Sequence, residues 1–348
     1  MSNSSKPSYV SSGGSKAARG FIRVIDQVID LIVLALIVML VLFAVYSIYD
    51  TNQIYTSSDA TVYETYKPTA EKDSPTFTEL QKINPNVCAW ISLYGTGIDY
   101  PVVQGKNNDE YLNKTVTGEF ALGGSIFLES SNNNDFSEFN TIIYGHHMEK
   151  SEMFGDLDKF DEKSFFDEHQ YGSLYYDGSL HGLTVFAMVD ADAYDFTLYN
   201  PHVGVSSSAV VNLDDGAEEE KTRYESSEEG DAAAQQDYLS YINSNAKFTR
   251  DIGVQPGDHI VMLSTCASGT NERYVLFAKI TDSAQENPFI DTTDHTVKRS
   301  VSGSVESNLT QERLILYLAI AAVFVFILYV ITRHWEKKRY ARRMIRDR

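Results

Sequence analysis

The 348-residue chain has little cysteine and few basic residues relative to acidic ones. Its two cysteines, Cys88 and Cys266, allow at most one disulfide, which is the ordinary expectation for such a pair in an oxidising compartment. Lysine and arginine number 29 against 48 aspartates and glutamates, a formal net charge of −19. This balance argues against nucleic-acid binding, which needs a basic surface.

Long apolar runs occur near both ends of the chain, at residues 31–48 and 314–331. Each is long enough to cross a hydrocarbon core of about 30 Å as a helix, at about 1.5 Å per residue. The first run is too long for the core of a signal peptide, and no small-residue cleavage site follows it. We therefore expect an uncleaved membrane anchor at the N-terminal side.

Basic residues cluster outside both apolar runs, and their placement predicts the topology. By the positive-inside rule both termini are cytoplasmic, which gives a two-span protein of the cell membrane with an extracellular domain. The expected segments are a cytoplasmic tail (1–30), a transmembrane helix (31–49), a stalk (50–73), the extracellular domain (74–290), a tether (291–312), a second transmembrane helix (313–332) and a basic cytoplasmic tail (333–348).

The extracellular domain consists of short apolar runs separated by glycine, asparagine and aspartate. The runs predict strands at residues 89–93, 98–103, 124–128, 141–144, 184–189, 259–263 and 274–280. Many short strands with few helices are typical of a mainly β fold that closes into a barrel. Helices are predicted at 75–83 and 235–248, and the acidic, low-complexity residues 206–234 predict a disordered surface insertion.

One predicted strand ends in Ser264-Thr265-Cys266, and the next begins at Arg273. If the two strands form a hairpin, residues 267–272 are its loop and Cys266 lies a few ångströms from Arg273. A neighbouring cation lowers the pKa of a thiol and makes it a better nucleophile. The alternative is a buried, unreactive cysteine beside a charge at the sheet edge.

A second stretch carries side chains that could take part in catalysis. It is Tyr144-Gly145-His146-His147, at the end of a predicted strand rich in β-branched residues. Gly145 allows a sharp turn that presents His146 at the strand end, where it can exchange a proton with a thiol and protonate a leaving amine. We interpret His147 as a partly exposed loop residue. No third spaced ligand accompanies the two histidines, so a metal site is not expected.

Together these motifs resemble those of the sortases, cysteine transpeptidases of Gram-positive bacteria. Ser264-Thr265-Cys266 with Arg273 is similar to the cysteine and arginine signature of the family, and Tyr144-Gly145-His146 to its histidine motif. The resemblance is to class B, on stretches at residues 83–91, 98–104, 108–112, 124–128 and 153–157. A second membrane span is commoner in class C, but residues 50–75 lack the Asp-Pro-aromatic lid of that class.

The resemblance implies a sortase-like closed barrel, an acyl-transfer reaction and no cofactor. Cys266 would attack the carbonyl of a threonine in the C-terminal sorting motif of a secreted protein, and a thioacyl enzyme would form. His146 would exchange protons with the leaving and incoming amines, and Arg273 would hold the substrate carbonyl or the oxyanion. The amine acceptor would be a lipid-linked peptidoglycan precursor or a pilin. The residues that match the substrate groove of class B enzymes are Asn108, Tyr144, Ser264 and Thr265.

The sequence departs from the family pattern at two places, and it also leaves two other functions possible. Met262 stands where a threonine is usual, and the interval from Cys266 to Arg273 is short for class B. A thiol hydrolase would pass the acyl group to water, and the residue types do not distinguish it from a transpeptidase. A non-catalytic surface adhesion module with a Cys88–Cys266 disulfide would also satisfy the cysteine count.

Overall fold

The computed structural model describes residues 16–69, 72–204, 210–212, 222–224, 232–266 and 271–289, together with helical residues scattered between 326 and 342. The chain divides into two compact units. One is Asn52–Ser307, and the other combines Met1–Thr51 with Asn308–Arg348. The predicted tether (291–312) and most of the second predicted span (313–332) lie outside the described residues.

The N-terminal helix is long and apolar enough to cross a membrane, and it is the one helix of that kind within the described parts of the chain. Around the barrel the helices are short. The α-helices are α1 (Lys16–Ser58), α2 (Pro75–Ile83), α3 (Lys163–Glu168) and α4 (Ala232–Asn245), and 3₁₀ helices occupy Ala60–Tyr66 and Gly155–Asp161.

Strands provide the framework of the larger unit. They are β1 (Val87–Leu93), β2 (Asp99–Val103), β3 (Ile126–Leu128), β4 (Asn140–Gly145), β5 (Tyr171–Tyr176), β6 (Ser179–Asp192), β7 (Val210–Asn212), β8 (Thr222–Tyr224), β9 (Ala246–Thr249), β10 (Ile260–Cys266) and β11 (Glu272–Thr281).

Eight of these strands close into a barrel. They pair in the order β11-β10-β4-β3-β2-β1-β5-β6, and β6 pairs back onto β11. The long strand β6 pairs with β5 through its first half and with β9 through its second half. The predicted mainly β, closed-barrel fold is confirmed.

Alternation along β10 explains how the barrel is packed on both faces. Val261 and Leu263 belong to one hydrophobic cluster, whereas Ile260 and Met262 belong to a second cluster with residues of α4. All four have no exposed surface. A strand buried on both faces reads as an unbroken apolar run, which is the pattern seen here. Met262 stands where the family motif usually has threonine, and it belongs to the cluster that contains the apolar residues of α4.

Residues 50–73, expected to be a stalk, contain regular structure that packs on the barrel. Helix α1 continues to Ser58, the first 3₁₀ helix follows, and Ala60 and Tyr63 are buried. The Tyr100 hydroxyl lies 3.0 Å from the Ser58 carbonyl oxygen. The chain therefore contacts the barrel well before residue 74.

Several boundaries differ from the sequence-based expectations. The helix expected at 235–248 spans Ala232–Asn245, because the following residues pair with β6 as strand β9. Strand β5 was not predicted, and β11 begins two residues before the predicted range 274–280. Within the expected disordered insertion, 206–234, residues 210–212 pair with 222–224 and 232–234 belong to α4; its other residues lie outside the described chain.

Candidate active site

Three neighbouring strands bring the predicted cysteine, histidine and arginine to one edge of the barrel. Strand β10 pairs in parallel with β4, so that Thr265 lies opposite Gly145. His146 and Cys266 are the residues that directly follow this last pair in their two segments. In the antiparallel ladder between β10 and β11, Cys266 is opposite Arg273.

Successive side chains of a strand point to opposite faces of the sheet, so the predicted residues are divided between the two faces. Tyr144 pairs with Ser264 across β4 and β10, so their side chains lie on the same face of the sheet. Thr265 falls on the opposite face, has no exposed surface, and its Oγ1 has no hydrogen-bond partner within the described structure. A groove contact by Thr265 therefore stays a prediction.

The hydrogen bond made by His146 distinguishes its two ring nitrogens. Its Nε2 lies 2.9 Å from the carbonyl oxygen of Leu112. A carbonyl oxygen only accepts, so Nε2 carries a hydrogen and donates it. Nδ1 is then the ring nitrogen that this hydrogen bond does not engage.

His147 has a separate, structural environment. Its Nε2 lies 3.1 Å from Oδ2 of Asp158, and this hydrogen bond raises the pKa of His147 above its usual value, against the opposing effect of burial. The interpretation of His147 as a partly exposed loop residue agrees with this position. No cluster of histidine, cysteine and acidic side chains suited to a metal ion occurs in the described regions of the chain.

Tyr144 and Ser264 are joined through an aromatic residue that the sequence analysis missed. The Tyr199 ring is stacked on Tyr144, with centroids 6.4 Å apart and an interplanar angle of 11°. The Tyr199 hydroxyl lies 2.8 Å from Ser264 Oγ. Tyr199 belongs to the irregular segment after β6, and no periodic pattern marks it as a site residue.

Asn108 reaches Tyr144 through a second residue that was not predicted, Glu129. Asn108 Nδ2 donates to Glu129 Oε2 at 2.6 Å, and the Tyr144 hydroxyl donates to the same oxygen at 3.1 Å. Burial and the Glu129 carboxylate raise the pKa of Tyr144, while the positive charge of Arg273 lowers it. Tyr144 is therefore protonated near neutral pH. The signal in the sequence was an acidic residue directly after a buried strand.

Cys88 is a free cysteine, so the Cys88–Cys266 disulfide is not formed. Strands β1 and β10 are four pairings apart in either direction around the barrel. Cys88 packs against the core, its Sγ donates to the Val102 carbonyl oxygen at 3.5 Å, and burial raises its pKa to about 12. The adhesion-module alternative loses the cross-link on which it depended.

The larger unit of the chain is similar to known proteins of one family. The family model described as Sortase domain matches residues 91–281. Sortase B of Listeria monocytogenes is 31% identical over 188 residues, which cover 54% of this chain and 65% of that protein. Sortase B of Staphylococcus aureus is 31% identical over 209 residues, 59% of this chain and 75% of that protein.

A solved structure extends the similarity to three dimensions. The Staphylococcus aureus sortase B–substrate complex has a TM-score of 0.50 and 29% identity, and the match covers 62% of this chain and 88% of that one. The family match at residues 91–281 covers most of the barrel, including strands β4, β10 and β11. The resemblance to class B is confirmed.

Proposed function

Because this chain belongs to the sortase family of cysteine transpeptidases, we propose that it is a class B-like sortase that joins secreted proteins to an amine. One observation supports the proposal: Thr265 pairs with Gly145, the residues directly before Cys266 and His146, and Cys266 pairs with Arg273 across β10 and β11. A nucleophile, a proton-transfer group and a fixed cation are the groups that acyl transfer requires.

The proposed first half-reaction forms a thioester. The Cys266 thiolate adds to the carbonyl carbon of a threonine in the sorting motif, and the carbonyl oxygen becomes an oxyanion held by Arg273. As the oxyanion collapses, the carbon–nitrogen bond breaks and Nδ1 of His146 gives its proton to the departing amine. The products are a thioacyl enzyme and the released C-terminal peptide.

The proposed second half-reaction transfers the acyl group. Nδ1 of His146, now neutral, accepts a proton from the incoming amine, whose nitrogen adds to the thioester carbon. The carbon–sulfur bond then breaks, the Cys266 thiolate returns, and a new amide links the two partners. The amine is a lipid-linked peptidoglycan precursor or a pilin lysine, and the acyl donor is a secreted protein with a C-terminal sorting motif.

We place the enzyme on the outer face of the cell membrane, held by two spans. The first span lies in α1, and contacts at the far end of the second support the pairing of the two. Asp30, just before the first apolar run, accepts hydrogen bonds from Arg333 at 3.0 Å and from Tyr329 at 2.5 Å. An ion pair between these positions fits a topology with both termini on the cytoplasmic side. Anchoring raises the effective concentration of substrates that emerge at the same membrane.

Product analysis with and without an amine tests this function against simple hydrolysis. The full-length protein in detergent would be incubated with a library of fluorogenic peptides that share a central threonine, and triglycine would serve as the amine. We expect cleavage after threonine and, with triglycine, a product extended by its mass. Cleavage that never yields this product would identify a thiol hydrolase, and cleavage of no peptide would contradict both.

A further inference from the structure

A buried carboxylate outside the catalytic trio connects the predicted groove residues. Glu129 directly follows β3 and exposes only 8% of its surface. Its backbone is fixed by three hydrogen bonds: its N–H donates to the Ile142 carbonyl at 2.9 Å, and its carbonyl accepts from Gln104 Nε2 at 3.0 Å and from the Asn132 N–H at 3.1 Å. The carboxylate therefore has a defined position around which other side chains can be ordered.

The two carboxylate oxygens serve different partners. Oε2 accepts from Asn108 Nδ2 at 2.6 Å and from the Tyr144 hydroxyl at 3.1 Å. Oε1 accepts from the backbone N–H and the hydroxyl of Ser131 at 3.2 and 3.1 Å, and from the Ser130 hydroxyl at 3.3 Å. One oxygen holds the groove residues and the other holds the loop that carries Glu129.

These bonds determine what Asn108 and Tyr144 can offer to a ligand. Tyr144 gives its single hydroxyl proton to Glu129, so its oxygen remains as an acceptor. The Oδ1 of Asn108 accepts the Ser130 N–H at 2.8 Å, and one Nδ2 proton goes to Glu129. The second Nδ2 proton remains as a donor. The pair therefore presents one acceptor and one donor.

That pattern is the complement of a peptide backbone, in which every residue offers one N–H and one carbonyl oxygen. The pair also lies beside the proposed reaction centre. Tyr144 lies on β4 two residues before His146, which directly follows the strand, and the charge of Arg273 acts on the Tyr144 phenol. A substrate peptide bound at the strand edge would pass these two groups.

We propose that Glu129 is a positioning residue that fixes Asn108 as a donor and Tyr144 as an acceptor for the backbone of the substrate peptide. This inference rests on the proposed function. Glu129 does not touch the reacting atoms in this scheme. Its loss therefore weakens substrate binding and leaves the chemistry at Cys266 intact.

The first test replaces Glu129 by glutamine in the full-length protein. The new amide nitrogen would face two donors, Asn108 Nδ2 and the Tyr144 hydroxyl, so one oriented hydrogen bond is lost. For the best peptide of the threonine library we expect KM to rise about tenfold, the effect of losing about one hydrogen bond to a charged group. We expect kcat and the rate of Cys266 alkylation by iodoacetamide to stay unchanged.

Glu138→Gln is the matched control. Glu138 is also a buried carboxylate, 4% exposed, and it accepts the Asn133 N–H at 2.6 Å in the loop before β4. It has no contact with Asn108 or Tyr144 in the described structure. Its substitution is expected to leave KM unchanged.

A second variant separates positioning from simple stabilisation. In the double variant Glu129→Gln/Asn108→Asp, the carboxylate at position 108 can accept from the amide at position 129, which restores the hydrogen bond with reversed polarity. We expect the unfolding temperature to recover toward that of the wild type while KM stays high, because the donor at position 108 is gone. This variant also decides the matter if the single variant does not fold.

Three outcomes would overturn the inference, and they are distinguishable. An active wild type whose KM is unaltered by Glu129→Gln removes the role of Glu129 and leaves the proposed function standing. Recovery of KM together with stability in the double variant makes Glu129 a structural residue only. A wild type that turns over no peptide removes the proposed function and this inference with it.

Discussion

Cys88 packs against the core, whereas Cys266 is the last residue of β10, and at the scale of single residues this difference in position gives a measurable prediction. Burial raises the pKa of Cys88 to about 12, so its thiolate fraction near pH 8 is about 10⁻⁴. We expect iodoacetamide to label Cys266 in the folded full-length protein and to leave Cys88 unmodified. Peptide mapping by mass spectrometry checks this, with denatured protein as the control in which both are labelled. Equal labelling in the folded state would contradict the assignment.

The His147–Asp158 pair predicts a pH-dependent contribution to stability. The folded-state pKa of His147 is raised above its usual value of 6.5. The stabilisation is therefore fully present below about pH 6.5 and is lost as the pH rises through the folded-state pKa. Because the Asp158 side chain is 42% exposed, we expect His147→Gln to cost less than about 1 kcal/mol near pH 5.

Urea unfolding of the full-length protein at several pH values measures that contribution. The difference between His147→Gln and wild type should vanish near pH 8.5, and turnover should be unaffected. Asp158→Asn should give the same pH dependence, and the double variant should add nothing further. A constant difference at all pH values would exclude the ion pair as its cause.

Residue identity predicts the candidate reactive groups but not the residues that contact the predicted groove. Cys266, His146 and Arg273 carry motifs, and their register follows from strand ends that can be located in the sequence. Glu129 contacts Asn108 and Tyr144, and Tyr199 contacts Tyr144 and Ser264, across segments that are distant in the chain. Contacts of that kind depend on three-dimensional pairing, which composition and periodicity do not encode.

At the scale of elements, Tyr100 links the end of helix α1 to the loop that follows His146. The Tyr100 hydroxyl lies 3.0 Å from the Ser58 carbonyl and 2.7 Å from Glu152 Oε2, and it accepts the Met153 N–H at 2.9 Å. Tyr100 is 1% exposed. Replacing it with phenylalanine removes the hydroxyl from all three contacts.

We therefore expect Tyr100→Phe to lower the free energy of unfolding by about 1–3 kcal/mol. Urea denaturation of the full-length protein in detergent measures the change, and limited proteolysis should detect faster cleavage near residue 58. Tyr194→Phe is the control, because Tyr194 is 66% exposed. An unchanged unfolding free energy in Tyr100→Phe would show that this link contributes nothing to stability.

The elements that the sequence did not reveal have identifiable causes. Strand β5 contains Gly172 and Ser173, residues of low strand propensity, yet a Cβ at Gly172 would lie 2.4 Å from the Ser92 carbonyl oxygen. Glycine is needed there because the neighbouring strand approaches so closely. Strand β9 follows α4 without a break, so a helical pattern continues through its first residues.

At the scale of the whole molecule, barrel closure depends on pairings between distant segments. Strand β10 pairs in parallel with β4, more than 100 residues away along the chain, and β6 pairs with β11. The sequence predicted many short strands, which is typical of a barrel, but local pattern does not specify such partners. The strand order was accessible only through the resemblance to a known family.

Topology is a property of the complete chain and gives a further prediction. If both termini are cytoplasmic, as proposed, epitope tags fused to either end should be protected from protease added outside intact cells. A tag inserted within residues 213–221 should be cleaved in the same cells. Cleavage of the C-terminal tag alone would contradict the second span while leaving the first in place.

The most direct test of the acyl-transfer site is to locate the acyl group on the protein. The full-length enzyme would be incubated with its best threonine peptide without an amine, quenched in acid, digested and mapped by mass spectrometry. We predict that the mass of the acyl fragment is found on Cys266, that triglycine discharges it, and that Cys266→Ala abolishes it without lowering the unfolding temperature. An acyl group on Cys88, or turnover retained in Cys266→Ala, would contradict the assignment.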